Sequence, residues 1–174
     1  HLAQLFSELH RRGLYDDSVI VLTADHGEEF QEHGGWWHGT TLYEEQLHVP
    51  LMIKRPKEPT PGSVDEHFAQ TIDIAPTIMA AAGLPARADF AGVDLFDNRT
   101  DRRSIPLYAE ENLEGNVLES LRLGDWKLIT ANERNPRGLR SLELYDLTND
   151  PRERDNLADK HPREVARLLH HLEK

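Results

Sequence analysis

Ser18-Val-Ile-Val-Leu-Thr23, running directly into Ala24-Asp25-His26-Gly27-Glu28, is the stretch on which the fold turns. Val19 to Leu22 is a continuous apolar run dominated by β-branched side chains. Such a run fits a strand covered on both faces, as in a parallel sheet flanked by helices. Upstream, Leu2, Leu5, Phe6 and Leu9 recur at i, i+3, i+4 and i+7, the spacing of a helix with one buried face. Arg11 and Arg12 suit the negative end of that helix, and Gly13 suits a left-handed stop. Helix, short turn and buried strand make an α/β unit. His1 already lies inside the helical pattern, with no Met or capping residue before it, so the chain reads as part of a longer one.

Downstream of the strand, residues 24–43 are rich in Gly, His, Trp and acids and hold no sustained periodicity. Loops at the carboxyl ends of strands in open α/β sheets are where ligands bind. Val49 to Ile53 reads as a second buried strand, and Lys54 to Gly62 as a surface loop. Phe68 to Gly83 predicts a helix, with Asp73 as a cap and Pro76 in its first turn. Ile105 to Tyr108 suits another strand. Beyond Asn116 the character changes: Val117–Leu123, Trp126–Thr130 and Leu142–Leu147 are short segments between turn signals, a small antiparallel sheet. His161 to Leu172 predicts a closing helix with Val165, Leu168, Leu169 and Leu172 on one side. We therefore expect residues 1–112 to belong to an α/β domain and 113–174 to a sheet-and-helix subdomain.

Composition narrows the partners. The 174 residues carry a net charge of -11, which argues against nucleic acid, since such partners call for a basic face. A small anion remains compatible if metal ions and a few cations line its pocket. No apolar run reaches the roughly 20 residues of a membrane span. With no cysteine in the chain, there is neither a disulfide framework nor a thiolate metal cluster.

Asp25 and His26 are the candidate metal ligands. A carboxylate and an imidazole side by side suit a divalent cation, and Gly27 lets the backbone turn closely around them. Asp before a glycine-containing turn also has a purely structural reading. Context decides between the two: Glu32-His33-Gly34, His38-Gly39-Thr40-Thr41, Tyr43-Glu44-Glu45 and Val49-Pro50-Leu51 follow in order. Then come Asp73-Ile74-Ala75-Pro76-Thr77-Ile78, Ala82-Gly83-Leu84, Gly92-Val93-Asp94-Leu95, Trp126-Lys127-Leu128-Ile129 and Glu143 through Pro151. This succession resembles the second half of a sulfatase, a member of the alkaline-phosphatase superfamily, over nearly the whole chain.

The resemblance implies an α/β fold: the C-terminal part of a three-layer α/β/α sheet, plus a small antiparallel sheet subdomain with a terminal helix. It implies a metal-dependent sulfuric ester hydrolase whose partner is a small-molecule sulfate ester. Asp25 and His26 take the places of the second pair of metal ligands. His38 takes a position where relatives carry Lys or His facing the ester sulfate, to hold the anion or protonate the departing alkoxide. The cofactor implied is one divalent ion: calcium by resemblance, with zinc or manganese suited to the imidazole of His26, since calcium prefers oxygen. Many sulfatases have Asn at this second position, whereas phosphatases and phosphonate hydrolases of the superfamily often have His. A phosphoryl-transfer enzyme is therefore the rival reading, phosphoethanolamine transferase included, and a non-catalytic binding module is the second.

The family's nucleophile, a Cys or Ser oxidised to formylglycine in a Cys/Ser-x-Pro-x-Arg motif, is expected outside this chain, because no Ser here opens such a motif. His33 reads as a packing or capping histidine or as a second substrate contact. Trp36 and Trp37 read as loop cover or as a wall of the substrate pocket. Glu28, Glu29 and Glu32 read as a mostly solvated run with a share in holding histidines, and Glu44 and Glu45 as anchors of the loop. Tyr145 and Trp126 read as core of the small sheet.

Overall fold

The computed structural model describes residues 1–57, 62–85, 87–97 and 99–173. The elements in chain order are α1 (Leu2–Arg11), β1 (Ile20–Thr23), β2 (Glu29–Phe30), β3 (Trp36–Trp37), α2 (Glu44–Leu47) and β4 (Leu51–Lys54). After them come α3 (Ile74–Ala81), β5 (Leu107–Leu113), β6 (Asn116–Leu123), β7 (Trp126–Ala131), β8 (Leu142–Asp146) and α4 (Pro162–Leu172). They fall into two compact units, one made of His1–Thr23 with Pro50–Arg102, the other of Ala24–Val49 with Arg103–Lys174.

In the first unit β1 pairs with β4 in the register Ile20↔Lys54 to Thr23↔Leu51, and the pairing is antiparallel. The expected parallel character is corrected at this pair. An apolar run reports that both faces of a strand are covered and carries no information on the direction of its neighbour. Coverage is also partial among the described residues: Ile20, Val21 and Leu22 are half-buried and Met52 is exposed. In α1, Phe6 and Leu9 are half-buried, while Leu2 and Leu5 stay exposed. The surface loop read from Lys54 to Gly62 lies partly outside the described residues. The helix expected from Phe68 to Gly83 is shorter, a 3-10 turn at Thr71–Asp73 leading into α3. Buried Asp73 accepts the Gln70 and Val93 backbone N–H groups, both at 2.8 Å, so the carboxylate ties the helix start to the Gly92–Val93 strip.

The second unit is built on an antiparallel meander, β5-β6-β7-β8. The hairpin registers Leu121↔Leu128 and Leu128↔Leu144 put three leucines on one face, where Val165 and Leu168 of α4 close a buried cluster. Side chains alternate across a strand, so Lys127, Ile129, Glu143 and Tyr145 occupy the opposite face. There Ile129, Tyr145 and Leu147 pack on Tyr43, which arrives from the 24–49 segment. Trp126 packs at the edge of the α4 cluster. The small sheet is thus covered on both sides, by a helix and by the loop that carries the candidate site.

Candidate functional site

Directly after β1 the chain enters the second unit at Asp25 and His26. The Gly27 N–H donates to the Gln46 carbonyl at 2.7 Å and the Glu28 N–H to the Glu45 carbonyl at 3.0 Å. These bonds lay the strip after His26 against the end of α2. Any side chain at residue 27 would overlap the Glu45 carbonyl oxygen, so glycine is required there by close approach. Beyond it, β2 and β3 form a two-residue hairpin, Glu29↔Trp37 and Phe30↔Trp36, which returns the chain to His38.

The hairpin stacks the imidazole of His38 on that of His26, ring centroids 3.9 Å apart and 27° from parallel. His26 Nδ1 lies 2.8 Å from the Gly27 carbonyl. A carbonyl can only accept, so Nδ1 donates, and in the neutral ring the lone pair is on Nε2. That is the arrangement of a metal-binding histidine, whose second nitrogen donates to a carbonyl or carboxylate. Nε2 sits 3.7 Å from Asp25 Oδ2, and the Asp25 side chain is 90% exposed. Two donors about 2.1 Å from one ion lie about 3–4 Å apart, so the pair fits two corners of a divalent site. Among the described residues no three His, Cys, Asp or Glu converge on such a site. His38 Nδ1 lies 3.1 Å from Glu28 Oε1, which leaves Nε2 unengaged on a half-exposed ring.

His33 is positioned differently. Its Nδ1 lies 2.7 Å from Glu45 Oε1 and its Nε2 3.0 Å from the Glu153 carbonyl. Both partners are acceptors, so both ring nitrogens must donate and the ring is held as imidazolium. Burial works against that charge, but the Glu45 bond and the Glu153 carbonyl outweigh it and raise the pKa above the ordinary value. The same bond overcomes burial to hold Glu45 below the ordinary carboxylate range. The ring stacks on Tyr43 at 3.7 Å, and Tyr43 donates to buried Glu143 at 2.7 Å. Burial and the Glu143 carboxylate push the Tyr43 phenol well up, so it stays a donor.

One pH prediction follows from His33. Its folded pKa is raised, so its contribution to stability is complete below the unfolded value of about 6.5 and is lost as pH rises through the folded value. The melting-temperature gap between the native protein and His33→Gln should therefore shrink as pH is raised from about 6 to about 8.5. A gap constant across that range would mean that folding does not raise the His33 pKa.

Sequence reasoning missed the polar groups beneath the loop. Glu29, read as part of a solvated run, is fully buried and paired with Arg137 at 2.7 Å. Phe30, its neighbour on β2, is exposed instead, so the hairpin turns its carboxylate inward and its aromatic ring outward. Glu28, by contrast, holds His38. Lys127 is 1% exposed and bonds Glu44 at 2.9 Å and Glu153 at 2.8 Å. Glu153 also accepts the Glu44 N–H at 2.6 Å, and Arg122 reaches Glu44 at 3.2 Å. Burial alone would raise the Glu44 carboxyl, but Lys127 and Arg122 keep it below the ordinary range. For Glu153 burial prevails, and its pKa is raised. Trp36 and Trp37 are exposed on β3. A cleft of about 400 Å³ lined by Glu32, Glu44, Glu45 and the Pro151–Arg154 turn contains none of Asp25, His26 and His38.

Comparison with known proteins bears on these groups. The family pattern described as Sulfatase matches residues 1–84. N-acetylglucosamine-6-O-sulfatase of Bacteroides thetaiotaomicron is 29% identical across the whole of this chain, which covers 33% of that protein. Arylsulfatase K of Bos taurus is 30% identical over 96% of the chain and 32% of its own length. Among solved structures, BT4656 in complex with its substrate D-glucosamine-2-N,6-O-disulfate superposes on 98% of the chain with a TM-score of 0.81 and 28% identity, and 36% of it is covered. The chain spans about a third of the length of the relatives it matches.

Proposed function

We propose that this chain, which is similar to sulfatases along its length, supplies Asp25 and His26 to a divalent-metal site, and His38 to the ester site, of a sulfuric ester hydrolase. The observation that supports this reading best is the paired disposition of His26 and His38. Each ring is oriented through Nδ1 by a neighbouring acceptor, His26 Nε2 faces the exposed Asp25 carboxylate at 3.7 Å, and the two rings stack. A divalent ion, when bound, supplies Lewis acidity toward the ester oxygens. His26 and Asp25 hold it. His38, with Glu28 fixing its tautomer, donates a hydrogen bond from Nε2 when protonated and can pass that proton to the departing alkoxide. His33, whose two nitrogens are engaged by the protein, supports the loop in this reading rather than touching substrate.

The nucleophile lies outside these residues, so this chain alone is inactive, and the complete enzyme carries the activity. Sulfated sugars are the first substrates to try, because one relative is named for a 6-O-sulfated N-acetylglucosamine and a structural neighbour holds a sulfated glucosamine.

The test is hydrolysis of an aryl sulfate beside matching aryl phosphate mono- and diesters by the complete enzyme, before and after chelation. Metal-dependent preference for the sulfate is expected, with His38→Ala lowering kcat by about 10²–10⁴-fold. Preference for a phosphoester would move the enzyme to the phosphoryl-transfer branch, the reading that the Asp25–His26 pair also suits. Metal analysis of the same preparation separates calcium from zinc or manganese.

A further inference from the structure

The segment that carries His38 contains only a two-residue hairpin and a one-turn helix, too little regular structure to hold two imidazoles in register. Gln46 gives it a tertiary anchor. Gln46, buried on α2, takes the Gly27 N–H on its backbone carbonyl at 2.7 Å and the Gly39 N–H on its Oε1 at 3.0 Å. It therefore grips the residue after His26 and the residue after His38 at once. Its Nε2 donates to Thr41 Oγ1 and lies 3.5 Å from Glu29 Oε2.

Glu29 is fully buried, and its other oxygen accepts the Gly35 N–H at 2.7 Å and Arg137 Nη2 at 2.7 Å. Arg137 comes from the turn between β7 and β8 and also donates to the His33 carbonyl at 3.0 Å. That turn is fixed in its own right: Asn116 accepts the Arg137 N–H at 3.1 Å, and Asn135 bonds the Leu139 N–H and carbonyl. Gly35 has no Cβ for a reason, since one would overlap the Arg137 guanidinium.

We propose that Arg137, Glu29 and Gln46 are positioning residues that set the place of His38 relative to His26, a relay from the C-terminal sheet to the ester site. The relay rests on the role given to His38 above. Arg137 pairs with a carboxylate whose charge burial would otherwise leave uncompensated. Glu29, so fixed, orients the Gln46 amide, and the amide fixes Gly39. Substitution in such supporting groups typically costs about 10- to 100-fold in activity.

The experiment uses the complete enzyme and a series of aryl sulfates graded in leaving-group pKa. Arg137→Met should lower kcat by about 10- to 100-fold for the poorest leaving groups and far less for the most activated ones. A displaced His38 matters most where the departing oxygen needs its proton. Arg137→Lys, which keeps the charge on Glu29, should restore part of the lost rate. If Arg137→Met does not fold, Gln46→Met carries the test, because it preserves volume and leaves the Arg137–Glu29 pair intact. A uniform fall across the series, with KM and the leaving-group slope as in the native enzyme, would overturn the relay and leave only a structural role. Hydrolysis of the sulfates by the native enzyme is the control for the functional reading itself. If that enzyme prefers phosphodiesters, the same comparison runs in the phosphodiester series.

Discussion

Asp25→Ala in the complete enzyme should lower kcat by about a thousandfold, because a Lewis-acid metal contributes several kcal/mol to such a transition state. Bound metal should fall with it, measured by elemental analysis of the purified protein. The substitution is suited to the purpose. The Asp25 side chain is 90% exposed and accepts the neighbouring His26 N–H at 3.1 Å, so the fold has little to lose. Circular dichroism and the melting temperature of the metal-free protein should match those of the native chain. An Asp25→Ala enzyme that keeps its metal and its rate would remove Asp25 from the site. Loss of rate with full metal occupancy would give the carboxylate a different role, such as orienting His26.

The largest effect on stability should come from Lys127→Met. Lys127 lies on β7 with its ammonium between Glu44 and Glu153, and both carboxylates are otherwise held by backbone or by the more distant Arg122. Removing one partner of a buried ion pair costs about 3–5 kcal/mol, because charge is left behind without compensation. Urea unfolding of Lys127→Met, followed by tryptophan fluorescence, should show a loss of that size. Adding Glu153→Gln to the same chain should recover much of it, since Glu44 keeps its pair with Arg122 and no buried carboxylate is left without a cation. If the single substitution costs less than about 1 kcal/mol, the pairs are solvent-screened in the way exposed ones are. The burial described for this face would then be incorrect. Lys127→Met also loosens Glu44, at the start of α2. It should therefore weaken the grip of Gln46 on the ester loop as well as the fold.

These two residues illustrate different degrees of legibility. Asp25 and His26 could be picked out as candidate ligands because their signal is local: an apolar strand, a sharp turn at Gly27, and a carboxylate beside an imidazole. His38 was reached through the order of motifs around it, and no periodicity pointed to it. Lys127 entered only through the Trp126–Ile129 motif and a weak analogy to a pocket residue, and its burial could not be read. On β7 it alternates with Trp126 and Leu128 as a solvent-facing residue would, and a lysine between apolar neighbours is the ordinary pattern of a half-exposed strand. Glu29 was misread for a related reason, sitting in an acidic run that has every local mark of hydration.

What the sequence determined by itself was therefore most of the larger elements, and it named candidate ligands. Apolar runs marked β1 and β4, short alternating segments marked the β5–β8 meander, and a one-sided apolar stripe marked α4. Periodicity is written locally, within a few residues, and survives whatever packs on it later. The tertiary structure alone decided that β1 meets β4 in antiparallel fashion and that residues 24–49 cover the second face of the small sheet. It also decided that Glu29 and Lys127, with Arg137 reaching in from the β7–β8 turn, are enclosed together there. Whether a charged side chain is solvated or buried depends on which distant segment lies over it. For Glu29 that partner is 108 residues away, and no pattern within either segment records the other.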